Sequence, residues 1–219
     1  MSKLNKSVVD TSLFTLSWPI LVELILQMLI GSVDQFMIAS YSDHAVAAIG
    51  NVNQILNVLI ITFGVISLAT TIMVSQALGS SQFDKISEIY SVAFFSNLSF
   101  SVVISGVLFS FSSQIFEAMQ LPPDLMDYAM SYMSIVGGFI FLQACQSTFS
   151  AIFRSNGMMK QIMFVSITIN IVNIMGNFIL IHGIPDLIPA MGVTGVAISS
   201  VISRLVGCGV LWYMFNQFS

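Results

Sequence analysis

The chain has 219 residues, of which 56% are hydrophobic and 7% charged, against about 25% charged in soluble domains. Its mean hydropathy is +0.93, the composition of a polytopic membrane protein and not of a water-soluble domain. The net charge of −4 comes with no basic run to hold phosphates, so no nucleic-acid partner is expected, and Cys145 and Cys208 fall in apolar segments that imply no disulfide framework.

Six apolar stretches reach the roughly 20 residues that a bilayer demands of a helix. They run approximately over 13–41, 52–78, 89–111, 125–153, 161–181 and 191–215. Helices are the expected element, because lipid offers the backbone no hydrogen-bond partners. The prediction is an all-α bundle of six transmembrane helices forming a single lobe over 1–219. Lys3 and Lys6 ahead of an apolar stretch resemble a signal sequence. The stretch is too long and lacks a small-residue cleavage site, which predicts a retained first span.

Lys3, Lys6, Lys85, Arg154 and Lys160, five of the six basic residues, fall before span one, between spans two and three, and between spans four and five. The loops on the other side hold Asp43, Glu117, Asp124, Asp127 and Asp186, and no Lys or Arg. The positive-inside rule then predicts a multi-pass protein of the cytoplasmic membrane with both termini cytoplasmic.

The first span reads PILVELILQMLIGSVDQFMIASY over 19–41 and contains Glu23, Gln27 and Asp34. At 100° per residue, Asp34 lies about 20° from each of the other two, so the polar residues form one stripe. An acid at the centre of a membrane helix costs at least about 2.5–3.5 kcal/mol, so it faces the protein interior or water. Glu23 is nearer the start and the interface, and Asp34 is deeper. The functional reading gives Asp34 a working role, the default for an ionisable residue inside a membrane helix. The structural one makes it an acid held by polar neighbours in a packed bundle.

In the second span Asn53, Asn57, Gly64, Thr71 and Ser75 fall within about 40° of one another, a face for a cavity or for a tight helix contact. The third span shows less pattern and more Phe, and most of it is expected to face lipid. Gln143, Gln146, Ser147 and Ser150 in the fourth suit interhelical hydrogen bonds or a cavity wall equally. The fifth places Asn170, Asn173 and Asn177 on one face, three and four residues apart. Unpaired, three amides would cost several kcal/mol, so they are expected to meet polar groups, water or an ion. Amide oxygens suit Na⁺ and also hold a carboxyl proton in place. In the sixth span Gly195, Ser199, Ser203 and Gly207 recur every four residues, the spacing of close helix packing. Arg204 is the one basic residue inside a span. It is read either as snorkelling to the cytoplasmic side or as pairing with an interior acid such as Glu23.

Enzyme chemistry finds little support. His44 and His182 lie in predicted loops, no HExxH run occurs, and Ser67 has no histidine within a span to activate it. No metal-ligand cluster is present in the sequence beyond a possible Na⁺ site at Asp34.

Several segments, in order, resemble the multidrug and toxic compound extrusion (MATE) family. Trp18-Pro19-Ile20, Ser32-Val33-Asp34 and Ala47-Ala48-Ile49-Gly50 look like its first helix and the loop after it. Ser75-Gln76-Ala77-Leu78-Gly79 looks like the end of its second helix, and Ala151-Ile152-Phe153-Arg154-Ser155-Asn156-Gly157 like the turn after its fourth. The stretch from Asn170 to Gly183, and Gly192-Val193-Thr194-Gly195-Val196-Ala197-Ile198, look like helices five and six. The resemblance implies a twelve-helix exporter of drugs and organic cations, driven by antiport of Na⁺ or H⁺ and built from two pseudo-symmetric six-helix lobes. It implies no cofactor beyond the coupling ion. This chain would be the N-terminal lobe, its FNQFS end standing where the family continues into a linker and second lobe. A second six-helix lobe or a dimer partner is then required.

By position the resemblance makes Asp34 the first-helix acid of a cation site, with Asn173, Asn177 and Ser200 lining it. Glu23, Gln27, Asn53, Asn57 and Asn170 are candidates for cavity lining. Asn177 stands where some family members have Asp, which removes one charge from the site. A lipid-linked oligosaccharide flippase of the same superfamily is the alternative, although such proteins gather basic residues in the cavity and this chain offers Arg204 alone. An inactive truncated fragment is the other.

Overall fold

The computed structural model describes residues 13–184 and 189–218. Lys3, Lys6 and Asp186, used above to orient the chain, lie outside the described residues. The described residues form seven helices, α1 (Leu13–Ile38), α2 (Asp43–Gly79), α3 (Phe83–Ala118), α4 (Pro123–Val136), α5 (Phe141–Ser155), α6 (Met159–His182) and α7 (Gly192–Phe218). Five of them are long and apolar enough to cross a membrane singly, and α4 with α5 make a sixth span bent by 47°.

The expected fourth span is therefore two helices. Gly137 and Gly138 sit at the break, where a β-carbon on either would come within 2.5 Å of the carbonyl of Met133 or Ser134. Paired small residues are a common cause of such kinks. α2 and α3 run 37 and 36 residues, longer than the expected spans. The stretch after Ser42, expected as a connection, is already helical from Asp43. Its Ala-rich composition favours helix, and Asp43 in the first turn complements the helix dipole. α3 continues to Ala118 across one non-helical residue, Phe111, at φ −118° and ψ 16°.

α7 runs through the middle of the lobe, packed against α6, α4 and α5, while α1 lies mainly on α6. The small-residue stripe of α7 is what brings α6 so close. A β-carbon on Gly195 would meet the Leu180 carbonyl at 2.6 Å, one on Gly207 would collide with Ile169, and one on Gly176 of α6 would collide with Ser199. The close-packing expectation for this span holds.

The surface is apolar and much of the interior polar, as lipid solvation requires. Phe36, Phe95, Phe109, Val65 and Phe178 are exposed, whereas Asn97, Ser101, Ser105 and Ser112 of α3 are buried. The third span thus has a pattern beyond the expectation: polar residues at four- and seven-residue intervals, turned inward. Asn97 donates from Nδ2 to Thr148 Oγ1 at 2.8 Å and to the Ala144 carbonyl at 3.2 Å, joining α3 to α5. The main apolar core gathers Ile38, Ile49, Phe63, Phe116, Met133 and Ile140. A second cluster around Phe149, Phe153, Ile169 and Leu211 fills the other end.

At one end of the bundle His44 Nδ1 lies 3.0 Å from Asp124 Oδ2. That contact puts the turn before α2 and the turn before α4 on the same side, as the alternation of spans demands.

Candidate functional site

Asp34 is fully buried. It sits about four turns beyond Pro19 in α1, where the helix meets α6 and α7. Asn177 of α6 donates from Nδ2 to Asp34 Oδ1 at 2.7 Å. Ser200 of α7 donates from its hydroxyl to Asp34 Oδ2 at 2.7 Å, and Tyr132 in the last turn of α4 donates to the same oxygen at 3.2 Å. Four helices therefore converge on one carboxylate, and each partner presents a donor.

A second layer fixes these donors. Asn173 lies one turn before Asn177 and donates from Nδ2 to Ser200 Oγ at 3.1 Å. Its Oδ1 accepts a long bond from Asn177 Nδ2 at 3.5 Å. Ser199 donates to the Asn173 carbonyl at 2.8 Å, and Ser203 donates to the Ser200 carbonyl at 2.9 Å. The three-and-four spacing of the asparagines puts Asn173 and Asn177 on the face toward α1 and α7. The small residues of α7 let that face come close enough for direct contact.

One atom of the cluster is left over. Asn177 Oδ1 is buried without a hydrogen-bond partner. With the Asp34 carboxylate, Asn173 Oδ1 and Ser200 Oγ it makes a set of hard oxygen atoms of the kind that bind Na⁺, and a carboxylate by itself binds a proton.

The structure thus brings together Asp34, Asn173, Asn177 and Ser200, and adds Tyr132. Sequence reasoning missed the tyrosine because an aromatic residue inside a span reads as apolar packing. Its signal is that a buried Tyr hydroxyl needs a partner.

The other candidates go elsewhere. Asn170 donates to the Leu26 carbonyl at 3.2 Å and the Ser166 carbonyl at 2.9 Å, tying α6 to α1. Asn53 is half-buried, its Nδ2 3.4 Å from where a β-carbon on Gly31 would stand. Asn57 is exposed on the bundle surface together with Gly64 and Ser75. The expected face of α2 is thus open at Asn57, Gly64 and Ser75 and part-buried at Asn53 and Thr71.

Glu23 corrects one expectation: it is buried, 1% exposed, and its partner is not Arg204. Both of its oxygens accept from Arg154 Nη2 at 2.9 Å, and Gln27 Nε2 donates to Oε1 at 3.1 Å. Arg154 was expected in a loop but belongs to the last turn of α5, close enough to the start of α1 to neutralise an acid there. Arg204 in turn does not snorkel: it is buried, and its Nε and Nη1 have no hydrogen-bond partner.

A MatE family model matches residues 19–179, a span that includes Asp34, Tyr132, Asn173 and Asn177. The chain belongs to the MatE family. Over 206 residues it is 44% identical to the uncharacterized transporter YisQ of Bacillus subtilis, covering 94% of this chain and 45% of that protein. It is 27% identical over 207 residues to the probable multidrug resistance protein NorM of Thermotoga maritima, covering 92% of this chain and 43% of the relative. The MATE transporter VcmN of Vibrio cholerae, in its bent form, shares the fold with a TM-score of 0.83 at 21% identity, over 99% of this chain and 47% of that one. The chain therefore spans about half the length of the curated MatE relatives it matches, as one of two lobes would. Membership in a transporter family and the apolar helices together make it a multi-pass membrane protein.

Proposed function

We propose that this chain is the N-terminal lobe of a cation-coupled exporter of drug-like organic cations in the cytoplasmic membrane, with both termini cytoplasmic. In this reading Asp34 takes up the coupling ion, Na⁺ or H⁺. Asn177 and Ser200 hold its carboxylate, Asn173 holds Ser200, the three supply oxygens to a bound cation, and Tyr132 donates to the carboxylate oxygen that Ser200 also reaches. A second six-helix lobe completes the path for the substrate.

The observation that supports this most directly is a fully buried carboxylate reached by side chains from three other helices, beside an amide oxygen with no partner. A carboxylate serving structure alone would be expected to bond directly to a cation, as Glu23 does to Arg154, whereas the direct partners of Asp34 are uncharged. Antiport requires that ion and substrate favour different states of the protein, because only differential affinity shifts an equilibrium. A carboxylate contacted from three other helices can do this, since loading it changes its hydrogen bonds to all three together.

The test is gradient-driven efflux of an organic cation such as ethidium from proteoliposomes holding this lobe with its complementary lobe. Asp34→Asn keeps the size of the side chain and removes its charge. The expected result is retained substrate binding with loss of the response to a Na⁺ or proton gradient, while Glu23→Gln keeps that response. Unaltered ion dependence in Asp34→Asn would overturn the assignment.

A further inference from the structure

Arg204 is the charged residue that the ion site leaves unexplained. It lies one turn beyond Ser200 on α7, so the two side chains share a face with their β-carbons about 5–6 Å apart. Ser200 is in direct contact with Asp34. Arg204 is buried, and its Nε and Nη1 donate to nothing. An arginine inside a membrane protein normally pairs with an acid or with backbone carbonyls.

The ionisable groups around this part of α7 are Asp34 on α1 and Tyr132 on α4, joined through the carboxylate that Ser200 holds one turn before Arg204, with Cys208 one turn beyond Arg204 on the same helix and Cys145 on α5. Packed against the same part of α7, α6 presents the uncharged Asn173 and Asn177. Glu23, the other buried acid, already faces Arg154. Among the described residues Asp34, held by the Ser200 hydroxyl one turn before Arg204, is thus the carboxylate left to balance that guanidinium, and no hydrogen bond joins the two.

We propose that Arg204 is a tethered cation that competes with the coupling ion for Asp34. This rests on the reading of Asp34 as the ion-binding residue. With Asp34 ionised and free, the interior carries one negative and one positive charge and is neutral. When Na⁺ or H⁺ joins Asp34, the guanidinium is left uncompensated in a region of low dielectric, which opposes loading. When the ion leaves, the guanidinium is again neutralised, which favours release. Arg204 therefore lowers the affinity of the site and keeps it from being held permanently loaded. Its effect is on ion affinity, as a positioning charge, and no contact with the transported compound is involved.

The experiment uses the purified 219-residue chain in detergent, its unfolding temperature followed against Na⁺ at fixed pH and ionic strength, and against proton concentration at fixed Na⁺. For whichever ion stabilises the unmodified chain, Arg204→Met should lower the half-saturating concentration at least tenfold. Arg204→Gln should do the same, a second variant should either fail to fold. Arg204→Lys, which keeps the charge, should stay within threefold of the unmodified chain, and Asp34→Asn should show no stabilisation. If Arg204→Met and Arg204→Gln match the unmodified half-saturation while Asp34→Asn is silent, Arg204 has no such role and the Asp34 assignment stands. If Asp34→Asn responds like the unmodified chain, the Asp34 assignment fails and the role of Arg204 fails with it.

Discussion

Both carboxylate oxygens of Glu23 accept from a single nitrogen of Arg154, each at 2.9 Å. The two partners are unequally buried: Glu23 is 1% exposed and Arg154 28%. That asymmetry decides which of them the lobe can spare.

Arg154→Gln leaves an uncompensated acid in the interior and is expected to cost about 3–5 kcal/mol. Glu23→Gln leaves a partly exposed guanidinium that can turn to water, and is expected to cost about 1 kcal/mol. The double variant should resemble Glu23→Gln, because the stranded acid is gone. Denaturant unfolding of the three purified proteins in detergent measures the order, and equal losses for the two single variants would refute it.

Ser200 and Tyr132 share Asp34 Oδ2, but only Ser200 also accepts from Asn173. Ser200→Ala removes the shorter bond and leaves the Asn173 amide unpaired, for an expected loss of about 1.5–3 kcal/mol. Tyr132→Phe removes one long bond and keeps the ring in the core, for an expected loss of about 0.6 kcal/mol. The same unfolding measurement ranks them.

The break between α4 and α5 should tolerate no side chain. Gly137→Ala and Gly138→Ala push a methyl onto a carbonyl and are expected to cost about 1–3 kcal/mol. Gly64 and Gly106, where a β-carbon meets nothing within 4 Å, should accept Ala with a gain of up to about 1 kcal/mol from helix propensity. Opposite signs for the two pairs in one unfolding series are the expected outcome.

The proposed orientation puts Asp124 outside the cytoplasm. Asp124→Cys, in a chain with Cys145 and Cys208 replaced by Ser, should be labelled by a membrane-impermeant thiol reagent added to intact cells. Labelling only after the cytoplasmic side is opened would invert the topology.

How much of this was legible in the sequence depended on whether a residue's partners lie on its own helix face. The stripe of Asn173 and Asn177 was legible because a three-or-four spacing is a property of one helix. So was the close approach of α7 to α6, written as small residues every four positions. Asp34 stood out because acids are scarce in apolar runs. The partnership of Tyr132 with Asp34 was not legible, since the two are 98 residues apart and only the packing of α4 against α7 brings them together. Arg154 was hidden by its neighbours: Ser155, Asn156 and Gly157 read as a turn, and an arginine beside a turn reads as solvated. Its place in the last turn of α5 is set by Gly157, whose φ of 75° ends that helix. The inward stripe of α3 was obscured by Phe residues interleaved with its serines. In lipid those phenylalanines mark the outside of the helix, the reverse of their meaning in a water-soluble protein.

The two halves of the bent span grip the same neighbour at different heights. α5 holds α1 at Glu23 through Arg154, and α4 holds it at Asp34 through Tyr132. These anchor points are eleven residues apart, roughly 16 Å along the axis of α1. With one rod pinned to both arms of a jointed strut, the 47° angle between the arms is a fixed quantity only while both pins hold. Straightening or closing the joint must either flex α1 or release one pin. Loss of the Tyr132 bond and loss of the Arg154 bond at the other end are therefore alternative ways for the same strut to move.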